Sequence, residues 1–308
     1  MTQELNFDRI ARIDEVFFEQ LIKKNIRLSI QRDDLLHSEV SGNKWRKLKY
    51  VVEGYNKDMY SGILTFGGPF SNHLAATASA CNIYGIPFVA VVRGEANDNN
   101  VTLDFIKRCG GEIRFVDRAK FRELREENWP NPFLDDFPNA LILPEGGSSK
   151  EARRSCEEIS MHWKTNYSHV CCAIGTGSTF SGLVNGLQSE QTKALGFVML
   201  KDKGYLDDEL CSFIESNHKY EIKRDYHFNG FGKVNDELIE FMNYFFDETG
   251  ILLDPVYTGK LLYGIFDLIK KKYFKPGSHI IAIHTGGLQG ITSMNNLLER
   301  KKKPLIKT

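Results

Sequence analysis

The segment Ser41-Gly42-Asn43-Lys44-Trp45-Arg46-Lys47-Leu48 puts amines where a helix begins. Trp45, Leu48, Val52 and Tyr55 recur at i, i+3, i+7 and i+10, an apolar stripe that predicts a helix with Ser41 or Asn43 as its cap. Lys44 falls in the first turn, where the helix dipole disfavours a cation. That placement suits an amine that must become neutral and form a Schiff base with a carbonyl. Lys47 lies one turn later on nearly the same face, within reach of the same region. Taken alone, the segment reads first as a row of surface lysines, so its chemistry depends on what else the fold brings to it.

A second candidate is Ile174-Gly175-Thr176-Gly177-Ser178-Thr179, which follows an apolar run and opens a helical stretch. Unpaired N–H groups at such a helix start, with the positive end of the dipole behind them, suit a phosphate. Glycine lets the backbone come close, and Ser178 and Thr179 add hydroxyl donors. The Walker pattern is absent, because no lysine follows the loop. A dinucleotide reading through Gly175, Gly177 and Gly182 lacks the spacing of the third glycine and an acid at the end of the next strand. An ordinary strand–helix turn stays open on this loop alone. Two more glycine-rich turns, Gly67-Gly68-Pro69-Phe70-Ser71-Asn72-His73 and Thr285-Gly286-Gly287, follow strand-like text in the same way.

These turns need strands before them and helices after them. Apolar, β-branched runs at 62–66, 86–92, 112–116, 140–143, 169–174, 195–200 and 279–283 read as strands. Helical stretches near 72–83, 101–109, 149–164, 179–188, 235–248 and 259–273 alternate with them. The alternation predicts an α/β fold of parallel sheets flanked by helices. In such folds ligands collect at the carboxyl ends of strands, where the glycine-rich turns lie. The proline-bearing stretch 127–139 reads as a loop, and a domain border is expected near Gly146-Gly147.

Composition narrows the function classes. Lys+Arg and Asp+Glu are both 40, so the chain lacks the basic excess of a nucleic-acid or membrane-surface binder. No apolar run approaches the roughly 20 residues that span a bilayer, and the acidic start MTQELNFDRI does not read as a signal peptide. The six cysteines follow no CxxC or Cys/His spacing, which predicts reduced, buried thiols and no metal. A cytoplasmic protein is expected.

Together the motifs resemble a known group. Ser41-Gly42-Asn43-Lys44-Trp45-Arg46-Lys47-Leu48 resembles the GGNKxRKL motif of the pyridoxal 5'-phosphate (PLP) enzymes related to 1-aminocyclopropane-1-carboxylate (ACC) deaminase and D-cysteine desulfhydrase. The Ser71-Asn72-His73 loop, the turn Gly175–Thr179, Asp254-Pro255-Val256-Tyr257-Thr258-Gly259-Lys260 and His284-Thr285-Gly286-Gly287 are similar to further family segments, in family order. The resemblance implies the tryptophan-synthase-β-like fold, fold type II. It implies a large domain of 1–46 and 148–308, a small domain of 47–147, and a cofactor between them.

It also implies roles. Lys44 would hold PLP and exchange a proton with the substrate carbon. Asn72 would donate to the cofactor's ring hydroxyl. Gly175, Thr176, Gly177, Ser178 and Thr179 would hold its phosphate, and Thr258 would face its ring nitrogen. The N–H groups of Ser71, Asn72 and His73 would hold the substrate carboxylate, which is compatible with capping of the helix they open. Ser71 and Tyr257 would stand at the reacting centre; packing is the other reading of Tyr257. His284 reads as a core histidine.

Two positions depart from parts of the pattern. Thr258 stands where ACC deaminase has glutamate and matches D-cysteine desulfhydrase, and Phe231 stands where the resemblance places a tyrosine in both. The expected reaction is β-elimination from a small amino acid, D-cysteine-like, by a homodimer. The alternatives are ACC deamination and, from another class, non-covalent nucleotide binding at 175–182.

Overall fold

A computed structural model describes residues 5–95, 100–126, 135–201 and 204–308. The chain forms two compact units, each built on its own sheet. The first comprises 1–8, 37–40 and 44–152; the second comprises 9–36, 41–43 and 153–308.

Ten strands are present among the described residues: β1 (Arg12–Val16), β2 (Arg27–Arg32), β3 (Ile63–Gly67), β4 (Phe88–Arg93), β5 (Glu112–Val116), β6 (Leu141–Leu143), β7 (His169–Ile174), β8 (Lys193–Val198), β9 (Tyr220–Lys223) and β10 (His279–Ile283). The first unit carries a four-stranded sheet in the order β5-β4-β3-β6, parallel throughout. The second carries six strands in the order β1-β2-β10-β7-β8-β9. All its neighbours run parallel except β1, which pairs with β2 antiparallel at one edge.

The larger sheet is buried on both faces, as a parallel sheet must be. Along β7 and β10 successive residues alternate between two clusters. Cys171, Ala173, Ile280 and Ala282 pack with the helices Asp236–Thr249 and Thr258–Lys270 on one side. Val170, Cys172, Ile174, Ile281 and Ile283 pack with Phe180, Leu183 and Val184 of the helix Ser178–Asn185 on the other. In the first unit, Leu64, Phe66, Val89 and Val91 meet Phe121 and Leu124 of the helix Arg118–Glu126.

The sequence reading of the central strands holds to within one or two residues, with β8 beginning earlier than expected at Lys193. The strands β1, β2 and β9 carry no continuous apolar run; β1 and β9 are the edges of the larger sheet, and β1 reads Arg-Ile-Asp-Glu-Val, with charges on an edge that pairs on one side only. The stretch expected as helix over 149–164 is the helix Lys150–Glu157 followed by a tighter turn, Glu158–Ser160. The expected loop 127–139 lies outside the described residues up to position 134. Cys81, Cys156, Cys171 and Cys172 are buried as expected, whereas Cys109 is half-buried and Cys211, on the helix Tyr205–Phe213, is exposed. No described helix is long and apolar enough to cross a membrane.

Candidate active site

The lysine turn is a helix start: Asn43–Glu53 is helical, and Lys44 is its second residue. The expected stripe is buried at Trp45, Leu48 and Val52. Ser41 and Asn43 reach outward from the helix. Ser41 donates its hydroxyl to the Asp34 carbonyl at 3.1 Å. The Asn43 side-chain amide donates to the Thr179 hydroxyl oxygen at 3.0 Å, linking the lysine turn to the glycine turn 136 residues later.

Gly42 locks this junction. It takes φ +65°, and a Cβ there would lie 2.0 Å from the Thr285 carbonyl oxygen. Only a residue without a side chain permits the crossing. The Asn43 N–H donates to the same carbonyl at 3.2 Å, and the Gly42 N–H donates to the Asp33 carbonyl at 3.1 Å. The turn after β10 thus fixes the residues that immediately precede Lys44.

The two lysines differ in their surroundings. Lys44 is half-buried. Lys47 is buried and donates its ammonium to the Gly146 carbonyl at 3.1 Å.

His73 is held in the core of the first unit. The ring, 2% exposed, sits with Nε2 2.9 Å from the Thr65 hydroxyl. Thr65 gives its own proton to the Leu143 carbonyl at 2.7 Å, so Nε2 is the protonated nitrogen and donates to Thr65. Burial, with the charges of Lys44 and Lys47 adding to it, pushes this imidazole well below its ordinary range. The ring therefore packs neutral, and what His73 can offer a ligand is its backbone N–H. Ser71 caps the helix Asn72–Tyr84, accepting from the Leu74 N–H at 3.3 Å. Its own N–H donates to the Gly68 carbonyl at 3.0 Å, so the first-turn amides of Asn72 and His73 are better placed for a carboxylate than that of Ser71.

In the second unit β7 runs into Gly175-Thr176-Gly177 and then into the helix Ser178–Asn185. Gly177 takes φ +84° as the residue before the helix. Gly175 is small for a specific reason: a Cβ there would meet the Tyr257 hydroxyl at 3.1 Å. The turn therefore presents first-turn N–H groups, with the Thr179 hydroxyl free to donate because its oxygen accepts from Asn43. Gly182 belongs to packing, since its Cβ would lie 2.4 Å from the Arg153 carbonyl oxygen. That accounts for the third glycine without a dinucleotide.

Asp254 organises the segment that ends in Thr258. Its buried carboxylate accepts from the N–H groups of Val256, Tyr257 and Thr258 at 2.9, 3.1 and 2.7 Å, starting the helix Thr258–Lys270. The fully buried Thr258 donates its hydroxyl to Asp254 Oδ1 at 3.0 Å and accepts the Asp254 N–H at 2.7 Å. Burial raises the Asp254 carboxyl, and its N–H and hydroxyl donors pull partly against that. Tyr257 lies between Gly175 and Phe231, whose ring is edge-on at 6.0 Å and 58% exposed. His284 is fully buried, with Nε2 2.7 Å from the Leu252 carbonyl oxygen, as a core histidine would be. The sequence reading passed over Asp254; its legible signal was an acid four residues before Thr258, at the start of a helix.

These residues fit a phosphate-bearing aldehyde cofactor. The turn 175–179 has a cradle that side chains at 175 and 177 would fill or strain, and Lys44 follows directly on the residue tied to Thr179. The chain matches the family described as pyridoxal-phosphate dependent enzymes over residues 17–286 and belongs to it. It is thus a PLP-dependent enzyme of fold type II. Among its relatives, it is 31% identical over 278 residues to the "Putative 1-aminocyclopropane-1-carboxylate deaminase" of Pyrococcus horikoshii, covering 85% of this chain and 84% of that protein. It is 28% identical over 294 residues to the mitochondrial bifunctional D-cysteine desulfhydrase/1-aminocyclopropane-1-carboxylate deaminase of Arabidopsis thaliana, covering 86% and 73%. The crystal structure of an ACC deaminase homologue superposes with a TM-score of 0.82 at 26% identity, covering 97% of this chain and 95% of that one.

Proposed function

We propose that this enzyme removes the amino group of a small amino acid by β-elimination, with D-cysteine-like substrates ahead of ACC. The products are ammonia and a keto acid, with sulfide when the substrate is D-cysteine. When bound, the cofactor supplies an electron sink conjugated to the substrate's amine.

The remaining work falls to the chain's own residues. Lys44 holds the cofactor through its amine and, once released, takes the proton from the substrate's α-carbon. The amides of the 175–179 turn hold the phosphate, and Asn72 orients the ring through its hydroxyl. The N–H groups that open the helix Asn72–Tyr84 hold the substrate carboxylate. Tyr257, beside the phosphate turn, donates a hydrogen bond on the substrate side.

The observation that carries the choice of reaction is the state of Thr258. By its place in the family segment it faces the ring nitrogen, yet its one proton goes to Asp254 Oδ1. Asp254 is itself occupied by N–H donors at its helix start. Position 258 therefore supplies no charge to keep that nitrogen protonated. A substrate whose leaving group departs with the electron pair tolerates this; opening the ring of ACC does not. The names of the archaeal and plant relatives support ACC deamination as the second reading.

A substrate panel tests the proposal: D-cysteine, L-cysteine, D-serine, β-chloro-D-alanine and ACC, read out as keto acid. Turnover led by D-cysteine or β-chloro-D-alanine is expected. Turnover led by ACC puts the second reading first, and a colourless protein active on none of them defeats both.

A further inference from the structure

Lys260 is a fully buried lysine that the chemistry above does not use. It lies in the first turn of the helix Thr258–Lys270, where the dipole disfavours its charge. Its ammonium donates to the His227 carbonyl at 2.9 Å and to the Gly230 carbonyl at 3.0 Å. Both acceptors belong to one tight loop, in which the Gly230 N–H donates to the His227 carbonyl and the Lys233 N–H to the Gly230 carbonyl.

The loop is held in a backbone shape it would not choose. Phe228 and Asn229 take φ +50° and +68° in succession, and Gly230 and Gly232 follow at +122° and +65°. Consecutive left-handed residues outside glycine persist only when neighbours over-determine them. Phe228 supplies one anchor by packing edge-on against Tyr263 at 5.0 Å. The buried Nδ1 of His227 has no hydrogen-bond partner and supplies none. Lys260 is the side chain that pins the loop's polar backbone, and the residue the loop then presents is Phe231, against Tyr257.

We propose that Lys260 is a positioning residue for substrate recognition: by clamping the loop 227–232 through two carbonyls, it keeps the Phe231 ring against Tyr257 on the substrate side of the site. The proposal rests on the reading of Tyr257 as a substrate-side residue, and it deepens that reading. Fold maintenance alone gives a poor reason for the lysine. Both carbonyls keep a backbone N–H partner without it, and a buried charge can often be replaced by an apolar group without loss of stability. Burial also lowers this amine toward about 8, with Asp254 pulling the other way, so the clamp operates near the limit of its charge.

The test compares the cofactor-loaded enzyme with its Lys260→Met, Lys260→Gln and Phe231→Ala variants. Met matches the length without donors, and Gln returns donors without charge. Amide hydrogen exchange should quicken at least tenfold over 228–233 in Lys260→Met, with the helix 236–249 unchanged and partial protection restored in Lys260→Gln. With D-cysteine or whichever panel amino acid the enzyme turns over, KM should rise about fivefold or more in Lys260→Met with kcat changed less. Phe231→Ala, which leaves the clamp intact, should give the same KM rise. Visible absorbance of the bound cofactor should stay the same throughout. Unaltered exchange over 228–233 in Lys260→Met overturns the clamp. Faster exchange with unaltered KM, or unaltered KM in Phe231→Ala, overturns the link to substrate. If the parent enzyme turns over no amino acid, the proposed function fails, and loss of the link to substrate follows with it; the exchange result still decides the clamp.

Discussion

Two lysines one turn apart raise the question of which holds the cofactor, and their surroundings answer differently. Lys47 is buried with its amine already engaged by the Gly146 carbonyl, an arrangement that holds it away from a second task. Lys44 follows Asn43, which is tied to Thr179 of the turn 175–179, and stands where the helix dipole favours the neutral amine. Borohydride reduction of the loaded enzyme followed by peptide mapping should place the label on Lys44; a label on Lys47 rejects the assignment. Lys260 carries a second prediction, in stability. Burial lowers its amine from the usual 10.5 to about 8. Below pH 8 the folded and unfolded chains both hold the proton, and the cost of burying the charge is constant. Between about pH 8 and 10.5 the unfolded chain binds more protons than the folded one, so stability rises with pH. Relative to Lys260→Met, the unaltered chain should gain on the order of 3 kcal/mol across that window. Urea unfolding at pH 7, 8, 9 and 10 checks it, and a difference that stays flat with pH refutes it.

At the scale of elements, the strand–turn–helix units were readable because their signals are local. β7 is a continuous apolar run, Gly177 needs a positive φ, and the helix after it begins with hydroxyl residues. The edge strands β1 and β9 escaped because a strand paired on one side can carry charges, as β1 does, and β2, between β1 and β10, escaped because the buried polar residues Ser29, Gln31 and Arg32 interrupt its apolar ones. What joins the turns was not readable. The Asn43–Thr179 hydrogen bond and the crossing of Gly42 under Thr285 connect segments far apart in sequence, and no periodicity encodes them. The same reasoning separates Gly175 and Gly177 from Gly182, which look alike as letters. The first two lie in the turn, while Gly182 is pressed against the Arg153 backbone. Gly177→Asp should therefore put a negative charge and a strained φ where the phosphate would be held, and cofactor affinity should fall at least a hundredfold. Equilibrium dialysis of the folded variant against PLP measures this. Affinity within a few fold of the parent would remove the turn from the cofactor site.

At the scale of the whole molecule, the question is which reaction these parts favour together. The fold and cofactor are common to enzymes that eliminate, deaminate and racemise, so reaction choice rests on a few positions rather than on architecture. Under the proposed function the deciding positions are 258 and 231. Thr258 is neutral and gives its proton to Asp254, and Phe231 sets a ring without a hydroxyl against Tyr257. An α-proton can leave a D-amino acid bearing thiolate or chloride with little charge accumulating, because the leaving group takes the electron pair. ACC offers no leaving group, so the electrons of its broken ring bond must be accommodated where position 258 gives no help. A deficit of about 3 kcal/mol in that accommodation is a factor of about a hundred in rate. The unaltered enzyme should thus process D-cysteine and β-chloro-D-alanine at least about a hundredfold faster than ACC in kcat/KM. Phe231→Tyr should narrow the gap by returning a hydroxyl donor beside Tyr257. Adding Thr258→Glu should narrow it further at a low absolute rate, since the new carboxylate lies beside Asp254 and two neighbouring carboxylates resist joint ionisation. Steady-state kinetics on the three substrates decides the matter: an ACC rate equal to or above the other two in the unaltered enzyme would mean that a residue other than Thr258 meets the electron demand.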